Sequence, residues 1–457
     1  MENIQAFAET FRSFMDSVVA AAPPKKSLLA EKLRAFMGEG VAQFPVLSYE
    51  AEGYEHPSMQ RALEEMMQAA RERGDAVEVL GLGSAQFQYS SPRIADIFND
   101  EGDVKEASAI YRTFLLPGGE TIGCLSMGLV LIGGARPVML LVEGPDEQRH
   151  KHAAAVQVLA GEREHAELVL REFRRRMHDR DVYRGHSLVV TSSPYRGTSV
   201  RFHPIPRILR EDLILNEETL ARIERQTIAF ADKSAVLAAA GRHLKRGVLL
   251  YGPPGTGKTL SAMYLAARMS GRTVLLTAGL SHGSLASVCE FARRLQPATV
   301  IMEDVDLVAE HRERQSECSM PLLFEMLNQM DGLNEDADVL FILTTNRPEA
   351  LEPALAARPG RIDQAIEVPL PDAACRQRLI ELYAKGLTLR VASVTPWVER
   401  TKGASAAFIR ELLRRAALLA ILDKGEAVVE DRELDESMRE LTLAKSLTGK
   451  FLGFSSQ

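Results

Sequence analysis

The chain has 457 residues, with 55 Lys plus Arg against 62 Asp plus Glu, a formal charge of −7. This length allows about three domains at roughly 150 residues each and excludes a single small one. The negative balance excludes a global positive field able to hold a phosphate backbone, so nucleic acid is not an expected partner.

The first residues open with an acid, and Asp16 interrupts their only apolar run, so no signal peptide is expected. Four cysteines (Cys124, Cys289, Cys318, Cys375) stand far apart without Cys-x-x-Cys spacing. Neither a zinc knuckle nor a disulfide framework is expected, and the pattern fits a reducing cytoplasm. In MQRALEEMMQAARERG, Leu63, Met66, Met67 and Ala70 repeat with helical period, which predicts a helix whose methionines fill a core. The most apolar segment, Leu125 to Val142, is cut by Gly133-Gly134 and Arg136-Pro137. It predicts two strands and a turn rather than a membrane span. A charged helix is expected over residues 161–184. Its Arg174, Arg175 and Arg176 lie near Glu162, Glu164, Glu167 and Glu172, so a solvated face is expected there. Short strands are expected near Ser187 to Thr191 and Thr198 to His203. Residues 1–205 therefore predict an α+β domain, expected to recognise a partner or substrate.

A boundary is expected after RFHPIPR, where the helical run NEETLARIERQTIAFA begins. From Gly247 apolar strands (VLLYG, TVLLT, TVIMED, VLFILTT) alternate with helical segments, including ones at Val288 to Leu295 and Leu322 to Met330. This alternation predicts a parallel sheet with helices on both faces over residues 206–370. Past Pro371 strand patterns cease, and a helical subdomain is expected over 371–457.

Two segments carry chemistry. Gly252-Pro253-Pro254-Gly255-Thr256-Gly257-Lys258-Thr259 matches GxxxxGK[ST] between an apolar strand and a helix. Glycines let backbone amides close around phosphates, and the helix N-terminus adds partial positive charge. Lys258 is expected to reach the β- and γ-phosphates of a nucleotide, and Thr259 a Mg²⁺ ion. Further on, Val300-Ile301-Met302 runs into Glu303-Asp304-Val305-Asp306, a buried strand delivering carboxylates to the mouth of the sheet. A metal-side carboxylate and a base for water are what nucleotide hydrolysis still needs, and Glu303 and Asp304 are the candidates for these roles.

Together with LLFEMLNQMDGL (322–333), TTNRPEALEPAL (344–355) and RPGRID (358–363), these segments resemble the AAA ATPases of the AAA+ superfamily. The resemblance implies a P-loop α/β fold with a helical lid, ATP and Mg²⁺ as ligands, and a homo-oligomeric, hexameric ring that remodels a protein client. By position it makes Asn346 the sensor of the attacking water, and Arg358 and Arg361 fingers reaching a neighbouring subunit's nucleotide. A nucleotide-gated scaffold with slow hydrolysis is the alternative. The Glu303-Asp304 order inverts the usual Asp-Glu and is similar to the subgroup containing the mitochondrial translocase of folded Rieske protein. An aspartate base is shorter by one C–C bond, about 1.5 Å. The chain has Ala406-Ala407-Phe408 where Gly-Ala-Asp is common, and Tyr383 where histidine is usual. In the pore stretch Gly279 to Gly283 no aromatic stands, leaving Leu280 and His282. His311, Arg312 and Arg314 are candidates for a second pore loop.

Overall fold

The computed structural model describes residues 10–14, 17, 27–84, 91, 93–98, 104–146, 149, 151–193, 197–277, 282–306, 337–351 and 362–443. The chain forms two compact units, Met1–Val182 and Tyr183–Gln457.

The first unit runs α1 (Leu28–Met37), β1 (Val46–Glu52), α2 (His56–Glu72), β2 (Val77–Gly83), α3 (Ile94–Ile97), β3 (Lys105–Ala107), β4 (Ile110–Leu115), β5 (Thr121–Ile132), β6 (Val138–Glu143), β7 (Ala153–Ala160) and α4 (Arg163–Asp179). Its antiparallel sheet has the order β1-β7-β6-β5-β2-β3, with β4 paired to β5. β5 and β6 form the expected hairpin, Ile132 opposite Val138. The continuous apolar run is explained by the two-residue period of strands on a sheet covered on both faces. Val130, Ile132, Val138, Leu140 and Val142 pack with α2 and α4. Leu129, Leu131, Met139 and Leu141 pack with α1 and α3. The arginine triplet is engaged within its own unit. Arg175 pairs with Glu172 and Asp179, Arg176 with Glu172 and Glu65, and Arg174 lies over the Tyr49 ring.

The second unit runs β8 (Ser187–Ser193), β9 (Gly197–Phe202), α5 (Glu217–Gln226), α6 (Ile228–Asp232), α7 (Ser234–Ala239), β10 (Arg246–Tyr251), α8 (Lys258–Arg268), β11 (Thr273–Thr277), α9 (His282–Arg294), β12 (Ala298–Met302), β13 (Val339–Thr345) and β14 (Gln364–Glu367). It continues with α10 (Ala373–Tyr383), β15 (Thr388–Arg390), α11 (Thr395–Arg400), α12 (Ala406–Lys424), β16 (Val428–Glu430) and α13 (Asp431–Leu443). The main sheet has the order β14-β10-β13-β12-β11-β8-β9. All its pairings are parallel except β8 with β9. Every residue of β11, β12 and β13 is buried, as a doubly covered parallel sheet requires. Because β13 lies between β10 and β12, the segments that leave these three strands emerge side by side at one carboxyl edge.

Two expectations are corrected. The boundary read near residue 205 lies at Val182, because β8 pairs in parallel with β11, Leu188 opposite Leu275, and carries β9 with it. A short apolar strand has the same local pattern whichever sheet it joins, so the choice is set by non-local pairing. The C-terminal segment is not strand-free: β15 and β16 form a small parallel pair. Its helices nonetheless build a core of their own around Trp397, Phe408 and Leu412. The helix expected at Leu322 to Met330 lies outside the described residues. Among those residues, no helix is long and apolar enough to cross a membrane.

Candidate active site

Buried β10 ends at Tyr251, and the chain turns into a glycine loop that α8 follows. Gly252 has φ +145°, and a Cβ there would lie 2.4 Å from the Val368 carbonyl oxygen. Gly255 has φ +74°, and a Cβ there would come within 2.8 Å of both Ser405 Oγ and Ala407 Cβ. Only glycine fits either position. Gly257 caps α8, so the loop presents backbone amides at the N-terminus of an 11-residue helix. Thr256 Oγ1 donates to the Pro253 carbonyl at 3.0 Å. Lys258 is buried and folds back over the loop, with Nζ donating to Gly252 O at 2.9 Å and Pro253 O at 2.8 Å. Burial pulls its pKa down from 10.5 to about 8, against the opposing charges of Asp304 and Asp306.

Two carboxylates follow β12 and are held differently. Glu303 lies beside the Thr259 hydroxyl. Burial chiefly, and then the charge of Asp304, hold its carboxyl above the ordinary range. Its Oε1 is buried with no hydrogen-bond partner among the described residues. Asp304 has φ +47° and is the only non-glycine residue with positive φ among those described. Its N–H donates to Thr344 Oγ1 at 3.0 Å, and its Oδ1 accepts from Asn346 Nδ2 at 3.0 Å. A left-handed backbone costs such a residue about 1 kcal/mol or more, and these two cross-strand bonds hold it there.

Beside the loop lies a cavity of about 280 Å³, lined among others by Ile214, Asn216, Thr256, Pro369, Asp372 and Ala406. Asn216 Nδ2 donates to Asp372 Oδ2 at 3.2 Å, closing one wall. The lid touches the loop directly, Ala407 N donating to Gly255 O at 3.1 Å. Phe408 is fully buried in the lid core, and Tyr383 packs against the same core with burial raising its phenol pKa. Neither residue lines this cavity.

The loop that a Cβ would fill and the adjoining cavity fit a nucleotide. The orphaned Glu303 Oε1 and the Thr259 hydroxyl are hard oxygen donors that fit Mg²⁺. That ion commonly takes one or two protein oxygens, with phosphate and water completing its shell.

The structure thus brings together Gly252 through Thr259, Glu303, Asp304 and Asn346. Arg358 and Arg361 lie outside the described residues, as do Gly279, Leu280, Ser281, His311, Arg312, Arg314 and the side chain of His282. Three contributors were not assigned a role from sequence: Thr344, Thr345 and Asp306. Their signal was present as hydroxyls directly before Asn346 and an acid two residues after Asp304.

Residues 248–370 match the family described as "ATPase family associated with various cellular activities (AAA)". This stretch is an AAA ATPase domain on a P-loop α/β fold. The chain is 31% identical over 245 residues to an ATP-dependent zinc metalloprotease FtsH of Mycoplasmopsis pulmonis, covering 50% of this chain and 33% of that protein. It is 33% identical over 218 residues to 26S proteasome regulatory subunit 10B of Dictyostelium discoideum, covering 45% of this chain and 55% of that one. A solved structure described as "Structural Basis for Katanin Self-Assembly" aligns over 51% of this chain and 84% of its own, with a TM-score of 0.41 and 24% identity. The chain therefore spans between a third and about half of the length of the curated relatives it matches.

Proposed function

We propose that this protein is an ATP hydrolase that couples Mg-ATP binding and hydrolysis to the remodelling or disassembly of a protein partner. The observation that carries this reading is the meeting, at one sheet edge, of a phosphate loop, a Thr259–Glu303 oxygen pair and an Asp304–Asn346 pair. Backbone amides of the loop and Lys258 hold the phosphates, Lys258 exchanging two carbonyl partners for phosphate oxygens. Thr259 and Glu303 hold Mg²⁺, which when bound neutralises developing charge on the phosphates. Asp304 takes the proton of the attacking water, and Asn346 orients that water. Arg358 and Arg361 reach the nucleotide of a neighbouring copy in a homo-oligomeric ring, hexameric on the family resemblance. The first unit recognises the client. The similarity to a proteasome regulatory subunit and to a metalloprotease, both named for work on proteins, supports a protein client. The scattered cysteines, without Cys-x-x-Cys spacing, support a cytoplasmic location.

One observation favours the second reading, a nucleotide-gated scaffold: the shorter base, Asp304, already has Oδ1 engaged by Asn346. Phosphate release by the purified protein with Mg-ATP, compared with Lys258→Ala, tests hydrolysis, and equal rates in the two would overturn it. Capture of partners by an Asp304→Asn protein loaded with ATP tests the client. Release of the captured protein on turnover supports remodelling; ATP-dependent assembly with slow turnover and no client supports the scaffold.

A further inference from the structure

Asp306 follows Asp304 by two residues but is housed otherwise. It is 4% exposed, and its Oδ1 accepts from Thr345 Oγ1 at 2.9 Å and from the Asn346 backbone N–H at 3.3 Å. The Thr345 hydroxyl in turn accepts from Arg347 N at 3.0 Å. Burying a carboxylate is costly unless donors surround it, and here the donors belong to the residues that end β13. The last ladder position of β13 is Thr345, opposite Tyr251 of β10. The Asn346 amide is therefore bonded to a side chain where a strand neighbour would otherwise hold it.

We infer that Asp306, acting with Thr345, is a positioning residue that fixes Asn346 against Asp304. The inference rests on the hydrolase reading above. Three links join the ends of β12 and β13: Asp304 N–H to Thr344, Asp304 carboxylate to the Asn346 side chain, and Asp306 carboxylate to Thr345 and the Asn346 backbone. The first two set where the base sits. The third sets the direction from which the Asn346 amide leaves its backbone. Without it Asn346 keeps its identity but loses its anchor, and a displacement of about 1 Å at a reacting water lowers turnover by up to ~10²-fold. Among the described residues Asp306 makes no hydrogen bond to the phosphate loop or to Glu303 and reaches Lys258 only through its charge, so its positioning effect falls on turnover.

The experiment measures kcat and ATP affinity near neutral pH, where Lys258 keeps its proton, for Asp306→Ala, Thr345→Val and Thr345→Ser. Asp306→Ala and Thr345→Val are expected to lower kcat about 10- to 100-fold, and Thr345→Val, which leaves the Asp306 charge beside Lys258 in place, is expected to keep affinity within about twofold of wild type. Thr345→Ser, which restores the hydroxyl, is expected to recover most of the rate. In an Asn346→Ala background, Asp306→Ala is expected to lower kcat by less than a further twofold or so, since it acts through Asn346. Multiplicative losses would overturn the inference. If Asp306→Ala does not fold, the near-isosteric Thr345→Val and Thr345→Ser pair decides. A wild type that turns over Mg-ATP, together with variants of unchanged kcat, defeats the inference and leaves the hydrolase reading standing. A wild type without turnover defeats both.

Discussion

Asn346 donates from Nδ2 to Asp304 Oδ1 at 3.0 Å across a separation of 42 residues. The pairing follows from topology: β12 and β13 are neighbours, Met302 opposite Leu343, so the residues two and three positions beyond that matched pair, Asp304 and Asn346, meet. One amide thus reaches a carboxylate that its own strand could never supply.

The carboxylate pair predicts two distinct failures. Asp304→Asn is expected to keep ATP affinity while losing hydrolysis by about 10² to 10⁴, the usual worth of a general base. Glu303→Gln is expected to raise the Mg²⁺ concentration needed for half-maximal activity, because it weakens an oxygen beside Thr259. Phosphate release titrated with Mg²⁺ checks both. If Glu303→Gln gave the clean, tightly bound trap and Asp304→Asn hydrolysed normally, the roles would be exchanged.

Lys258 carries a pH dependence. Its folded pKa of about 8 lies below the ordinary 10.5, burial being the leading cause. Between those values the unfolded chain binds a proton that the folded chain has released. Stability without nucleotide is therefore lowest below pH 8, where the buried ammonium is carried in full, and rises with pH through that window. Nucleotide affinity runs the opposite way. As pH rises past about 8 the cation facing the phosphates is lost, and affinity is expected to fall by up to about tenfold per pH unit. Titrations from about pH 7 to pH 9.5 measure this, and a flat profile would contradict it. Lys258→Ala is expected to abolish binding throughout.

Two alanines in the loop separate stability from coupling. At Gly252 the added carbon meets Val368 backbone at 2.4 Å, which neither chain can yield cheaply. Gly252→Ala is expected to cost roughly 2–4 kcal/mol in urea unfolding. At Gly255 the obstruction belongs to the lid, Ser405 and Ala407. Gly255→Ala is expected to push the lid off the loop and weaken nucleotide affinity more than stability. Wild-type affinity in Gly255→Ala would show the loop–lid contact to be dispensable.

Subunit mixing tests the shared site. Arg358→Ala and Arg361→Ala are each expected to bind ATP yet hydrolyse it about 10³- to 10⁵-fold more slowly, the range for arginine fingers acting in trans. Co-assembly of Arg358→Ala with Lys258→Ala pairs a sound phosphate loop with a sound finger, and part of the lost activity is expected to return. Mixed assemblies without recovery, or full activity in a dilute monomer, would contradict the shared site.

The loop from Gly252 to Thr259 was legible because its chemistry is local: the glycines, the lysine and the helix start within eight residues. Glu303 and Asp304 were legible for a similar reason, apolar residues running straight into acids. Asn346 needed the family resemblance, since no local pattern links it to a strand more than forty residues back. Asp306 and Thr345 are harder to read, because a buried acid and a threonine look ordinary until their mutual bond is seen. β8 and β9 read as strands, but their local pattern does not say which unit they join. Strand propensity reports a pleated, half-buried surface and says nothing about which partner will cover it.

The β8–β9 hairpin has a practical consequence for anyone dissecting this chain. A fragment beginning near residue 206 would contain every residue of the phosphate loop and both strand-end carboxylates, and would look complete on paper. It would also strip the hydrogen-bonding neighbour from β11, whose five residues are all buried. The result is a bare, apolar strand edge of the kind that recruits other chains. Such a fragment is expected to precipitate and be misread as an inactive enzyme, whereas one beginning at Tyr183 keeps β8 hydrogen-bonded along β11.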